Sequence, residues 1–136
     1  EQPLPFGPVF DRVLLDAPCS GLGTLRRDPD IKWQRRPDEL PALAAIQSRM
    51  IGQASEVVRP GGALIYATCS SEPEENEAVV DALLEQRPEF ALGRFALDRV
   101  LPDAAQAIDD RGMLHSRPAH GLDAFFAAVL VRRERA

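Results

Sequence analysis

The sequence predicts an α/β protein built on a sheet of mostly parallel strands. Short apolar runs at residues 9–15 and 63–68 read as buried strands. A helical pattern of threes and fours lies between them, and a second helical pattern follows. Strands that alternate with helices imply crossover connections and parallel pairing.

The first strand carries Val9, Phe10, Val13, Leu14 and Leu15 and ends at Asp16-Ala17-Pro18. Proline has no N–H to give a ladder, so the strand stops there. Residues 19–38 show little periodicity, and Gly21, Gly23, Pro29 and Pro37 punctuate them as a long ordered loop. A loop of that length inside a compact domain is usually functional. Over 39–58, Leu40, Leu43, Ile46, Met50, Ile51, Ala54 and Val58 recur at helical spacing. Pro37-Asp38 makes the start and Pro60-Gly61-Gly62 the stop.

The second strand breaks at Cys69-Ser70-Ser71. Ser71 and Glu74 stand at capping-box spacing for a second helix, which is expected to begin within 71–73. Its apolar face is Val79, Val80, Leu83 and Leu84, and Pro88 limits its end. A third strand is expected within 90–97, irregular chain over 98–112, and a short strand at 113–117. The last strand is expected at 123–131, followed by a charged tail from Arg132 to Arg135.

The chain has 136 residues, enough for one domain or a piece of one. An apolar fraction of 45% is sufficient for a core. No apolar run reaches the roughly 18 residues that suggest a membrane span. The N-terminal residues lack the layout of a signal peptide, and nothing argues for secretion. A net charge of −5 counts against a broad nucleic-acid surface. A local one remains open, because Arg26, Arg27, Lys32, Arg35 and Arg36 crowd one short stretch.

Two cysteines outside any CxxC pattern make neither a disulfide framework nor a zinc site, and no metal is expected. The bland reading is two small buried thiols. Their positions favour another. In open α/β sheets, ligands sit beyond the carboxyl ends of the strands. Cys19 and Cys69 both lie there, though 50 residues separate them. A helix N-terminus beside a thiol favours the thiolate, which suits Cys69 better than Cys19. Asp16 stands three residues before Cys19, as a turn cap or as a site acid. A thiol protease would need a histidine base. The two histidines, His115 and His120, lie in the C-terminal stretch, and His120 reads as a turn residue. Gly21-Leu22-Gly23 lacks the third glycine of a dinucleotide loop and the lysine of a P-loop.

Asp16-Ala17-Pro18-Cys19-Ser20-Gly21 resembles the signature loop of the Sun (Fmu) family of RNA 5-methylcytosine methyltransferases. Ala67-Thr68-Cys69-Ser70, with Pro73-Glu74-Glu75-Asn76 after it, resembles the family's second signature. Arg26-Arg27-Asp28-Pro29-Asp30-Ile31-Lys32-Trp33, Gln47 and Arg59-Pro60-Gly61-Gly62 also match the family pattern. So does Gly121-Leu122-Asp123-Ala124-Phe125-Phe126, with Ala124 where the family has glycine. The resemblance covers nearly the whole chain and is weakest over 91–112. Its arginine-rich middle is most like the bacterial small-subunit ribosomal RNA branch.

The resemblance implies a fold, a reaction and a site. Residues 1–136 would be the C-terminal half of the catalytic domain. That is the later part of a Rossmann-like class I methyltransferase sheet with flanking helices, its first strands missing. Cys69 would be the nucleophile that adds to carbon 6 of cytosine, so that carbon 5 accepts the methyl of S-adenosylmethionine. Cys19 would assist release, and Asp16 would hydrogen-bond the cytosine edge. Asp16 and Pro18 would be this chain's share of the cofactor site, most of which lies elsewhere. The target base would be flipped from its stack. Arg26, Arg27, Lys32, Arg35 and Arg36 would hold flanking phosphates. Trp33 would stack on a base or pack within the fold.

Ribosomal RNA is the expected partner, with transfer RNA or a non-catalytic RNA-binding module as alternatives. No membrane partner is expected, and the setting would be cytoplasmic. The isolated piece would be inactive, would bind S-adenosylmethionine poorly, and would self-associate through its raw sheet edge.

Overall fold

A computed structural model describes residues 3–36, 38–96, 99 and 102–134. Pro37, Leu97 and Arg135, and the side chain of His120, lie outside the described residues. The first apolar run forms β1 (Phe10–Asp16). The punctuated loop after it holds a 3-10 turn (Leu22–Thr24) and a short helix, α1 (Ile31–Gln34). The long helical pattern forms α2 (Glu39–Glu56), and β2 (Val58–Thr68) follows almost at once. Next come α3 (Glu77–Gln86), β3 (Phe90–Leu92), α4 (Pro102–Ala105), β4 (Leu114–His115) and β5 (Phe126–Arg132).

The strands form one sheet in the order β1-β2-β5-β3, with β4 also paired to β5. β1 and β2 are parallel, while β5 is antiparallel to β2, β3 and β4. The expectation of mostly parallel pairing is therefore corrected for these strands. Four strands still run the same way. Only β5 is reversed, and because it sits between the others it makes most of the pairings antiparallel.

The pleat sends alternate residues to opposite faces. Leu64, Tyr66 and Thr68 of β2, with Phe126, Ala128 and Leu130 of β5, are almost completely buried. Ile51 of α2 and Val79, Val80 and Leu83 of α3 join the same core. α2 packs against β1, β2 and α3. At the other extreme, Leu14 on edge strand β1 is 69% exposed, and Phe6 and Val9 beside it are also open. No helix among the described residues is long and apolar enough to cross a membrane.

β2 starts five residues earlier than the apolar run indicated. Phe10 pairs with Val58, but Arg12 pairs with Ala63, so the intervening Arg59-Pro60-Gly61-Gly62 bulges out of register. Pro60-Gly61-Gly62, expected as the helix stop, lie past the helix end at Glu56, and they also form a bulge within the strand. Gly61 has φ of 76°, which suits glycine. A Cβ on Gly62 would meet the Asp11 carbonyl oxygen at 3.0 Å. The second helix begins at Glu77 rather than within 71–73, because residues 73–76 close a turn through the bond from Ala78 N to Pro73 O. The third strand shrinks to three residues, and the last starts at Phe126.

Arg59 Nε donates to Asp11 Oδ1 at 2.7 Å and holds the bulge to β1. That hydrogen bond and the guanidinium charge lower the Asp11 pKa below its ordinary value. The pair's contribution to stability is complete above the ordinary aspartate pKa of about 3.9 and fades as pH falls through the lowered value. In Arg59→Ala, Asp11 is expected to titrate back in the ordinary range. Carboxyl chemical shifts followed against pH check this, and an unchanged midpoint would discard the pairing.

Candidate active site

The thiols come first. Cys19 lies three residues past the end of β1 and Cys69 directly past the end of β2. Parallel pairing carries both strand ends to one rim, where Asp16 sits opposite Ala67 and Ala17 N donates to Ala67 O. Cys19 Sγ and Cys69 Sγ are 3.2 Å apart, both free and both half-buried. Burial and the hydrogen bond with Cys69 push the Cys19 thiol up to about 12. Cys19 therefore keeps its proton at neutral pH. Asp16 and Pro18 stand exposed beside the pair.

A buried carboxylate fixes this arrangement. Glu75 has no exposure, whereas neighbouring Glu74 faces solvent. Glu75 Oε1 accepts from Ser20 N at 2.8 Å and from Gln47 Nε2 at 3.0 Å. Its Oε2 accepts from Ser20 Oγ at 2.6 Å and also from Ser70 Oγ. Ser20 follows one thiol and Ser70 the other, so a single carboxylate ties both thiol loops together. Gln47 adds α2 to the junction and also donates to Pro18 O at 2.9 Å, leaving its own Oε1 unpaired. Charge-assisted hydrogen bonds of this kind are about twice as strong as neutral ones, which offsets the cost of burying the charge.

Further bonds extend the network. Tyr66 O–H donates to Glu75 O at 2.6 Å, and burial raises the Tyr66 pKa. Thr68 Oγ1 donates to Asn76 Oδ1 at 2.6 Å, and Asn76 Nδ2 donates to Ser70 O at 2.9 Å. Gly23 N donates to Cys69 O at 3.0 Å, and Ala124 N donates to Gly23 O at 3.0 Å. The loop is thus threaded between the ends of β2 and β5. A Cβ on Gly23 would lie 2.0 Å from Ala124 O.

The reading of Cys69 as a thiol at a helix N-terminus is corrected. α3 starts eight residues later, and Ser71 Oγ donates to Glu72 Oε1 instead of capping it. The cationic residues are partly engaged within the fold. Arg27 Nε lies 2.6 Å and Arg26 Nε 3.7 Å from the buried Asp123 carboxylate, as ion pairs without an N–H aligned for a hydrogen bond. Arg35 Nε donates to Ser20 O at 2.9 Å, and Arg36 pairs with Asp38. Lys32 lies over the Trp33 ring, and Trp33 is 82% exposed. Trp33 is therefore not a core packing residue. His115 contacts Asp109 and Glu77, and neither thiol is its partner. No cluster of metal-ligating side chains occurs among the described residues.

Sequence reading passed over Glu75, Ser20, Ser70, Asn76 and Asp123 as working parts. Their signal was weak: Ser20 and Ser70 are small polar residues beside the thiols, Glu75 and Asn76 read as part of the second helix, and Asp123 as the start of the last strand. Glu75→Ala is expected to leave Ser20 N buried without an acceptor and to strip one bond each from the Ser20 and Ser70 hydroxyls and Gln47 Nε2, costing roughly 3 kcal/mol. Urea unfolding measures this, and an unshifted midpoint would show the carboxylate to be dispensable. Gly23→Ala is expected to lose on the order of 2–3 kcal/mol by overpacking, in the same assay.

Relatives of known description share this arrangement of sequence and fold. The family described as 16S rRNA methyltransferase RsmB/F matches residues 2–131. The ribosomal RNA small subunit methyltransferase B of Vibrio cholerae is 44% identical over 127 residues, covering 93% of this chain and 27% of that protein. This chain thus spans about a quarter of that relative's length. A methyltransferase homolog from Pyrococcus horikoshii superposes with a TM-score of 0.70 at 30% identity, covering 91% of this chain and 39% of its own. NSun6 from Pyrococcus horikoshii, solved with the S-adenosylmethionine analogue SFG, gives 0.70 at 29% identity, covering 90% and 30%. The sheet with its flanking helices is that of a class I methyltransferase, and the chain belongs to the 16S rRNA methyltransferase RsmB/F family.

Proposed function

We propose that the protein containing this chain methylates carbon 5 of a cytosine in small-subunit ribosomal RNA through a covalent cysteine–cytosine intermediate. Residues 1–136 form the C-terminal half of its catalytic domain. The observation that supports this best is the pair of free thiols 3.2 Å apart at the ends of adjacent parallel strands. Family membership supports the ribosomal RNA substrate. A scaffold that only bound RNA would need neither thiol.

The thiols divide the work. Cys69 adds to carbon 6 of the ring, and carbon 5 becomes electron-rich enough to accept a methyl group. S-adenosylmethionine, when bound, supplies that methyl as an electrophile. The exposed Asp16 carboxylate and Pro18 lie where this chain would touch it, and an exposed acid suits a cationic ligand. Asp16 also holds the polar edge of the cytosine. Water then takes the carbon-5 proton, the ring regains its double bond, and the bond from carbon 6 to Cys69 breaks with its electron pair returning to sulfur as the thiolate. Cys19, 3.2 Å from Cys69 and still carrying its proton, serves this release step by hydrogen-bonding the departing Cys69 sulfur. Lys32, Arg35 and Arg36, with the open Trp33 ring beside them, support phosphate and base contacts along the loop. Arg26 and Arg27 add to this from beside Asp123.

In the full-length protein, Cys69→Ser is expected to lower methylation by at least on the order of 1,000-fold. Cys19→Ser is expected to accumulate a protein–RNA adduct that survives denaturing electrophoresis. Bisulfite sequencing of ribosomal RNA reads the first outcome and the gel the second. Normal methylation by both variants would refute the assignment.

A further inference from the structure

Two thiols in contact can do a second kind of chemistry, for which the site has the parts. Cys19 Sγ and Cys69 Sγ are already 3.2 Å apart. A disulfide needs about 2.04 Å, so the sulfurs must approach by about 1.2 Å. Rotation of the two side chains can supply that without dismantling the sheet. The Glu75 bonds to Ser20 and Ser70 hold the two loops at this spacing throughout. Both thiols are half-buried rather than sealed, so a small oxidant can reach them.

We propose that Cys19 and Cys69 form a peroxide-responsive modification site that closes to a reversible intramolecular disulfide. The Cys69 thiolate attacks a hydrogen peroxide oxygen, the O–O bond breaks, and a sulfenic acid forms with release of hydroxide. Cys19 sulfur then attacks the Cys69 sulfur. The S–S bond forms, the S–O bond breaks, and the departing hydroxide takes the Cys19 proton as water. Two thiols lose two electrons in all, and both peroxide oxygens are reduced to water. Contact with Cys69 at 3.2 Å places Cys19 for the second, resolving attack, and its raised pKa makes that attack the slower step, faster as pH rises. A dithiol reverses the reaction by exchange. If the methylation reading holds, closure removes its nucleophile, but the modification stands on the geometry alone.

The test uses this chain, kept folded as judged by circular dichroism. It is treated with equimolar hydrogen peroxide, blocked with N-ethylmaleimide and mapped by mass spectrometry without reduction. The expected product carries no intermolecular disulfide and is lighter by about 2 Da, with the Cys19 and Cys69 peptides of one chain linked and no maleimide taken up. Dithiothreitol restores two reactive thiols. Cys19→Ser is expected to yield oxygen adducts on Cys69 and no link. The proposal falls if the wild-type chain gives only oxygen adducts, only disulfide-linked dimers, or unreacted thiols.

Discussion

One buried carboxylate holds the molecule's working end together. Glu75 takes hydrogen bonds from the loop after β1, the loop after β2, and the middle of α2. A charge without exposure is costly unless every lone pair is used. Here it is matched by backbone, hydroxyl and amide donors and by no cation among those bonds. That choice matters for chemistry. A buried lysine or arginine would bring positive charge close to the thiols, whereas hydroxyls and amides fix position with little field of their own. The sheet brings the two strand ends to one rim, and Glu75 sets the distance between them.

Much of the fold was legible because apolar runs and prolines carry strong signals. The run from Val9 to Leu15 ends at Pro18, and the periodic residues from Leu40 to Ala54 do form one helix. Strand direction was less legible. β5 looks like any buried strand, and its reversal depends on where the preceding chain returns to the sheet. The early start of β2 was hidden because Pro60, Gly61 and Gly62 read as a break. The partner strand accommodates them as a bulge instead.

At the site, the thiols were legible because each follows a strand that the apolar pattern defines. Their support was not. Glu74 and Glu75 are adjacent and chemically alike, yet one faces water and the other is enclosed. Burial there follows from tertiary packing, which no local pattern encodes. The same competition displaced the helix start. Ser70 is committed to Glu75 and Ser71 to Glu72, so the capping box has no free serine. Arg26 and Arg27 read as phosphate-holding cations, and nothing local shows that both lie against the enclosed Asp123, almost 100 residues away in sequence, while staying mostly exposed.

The seam at Gly23 separates two regimes of evolvability. From Cys19 to Gly23 the chain is bonded to the loop after β2, to Glu75 and to the segment before β5, so an inserted or deleted residue there would shift one thiol past the other. Beyond the seam, Asp28, Pro29 and Asp30 form an exposed turn with only local backbone bonds. Length changes at that turn leave the thiol spacing alone. Insertion libraries aimed at new targets would therefore be best placed there, where the reach and charge of the outer loop can be varied while the reacting centre stays fixed.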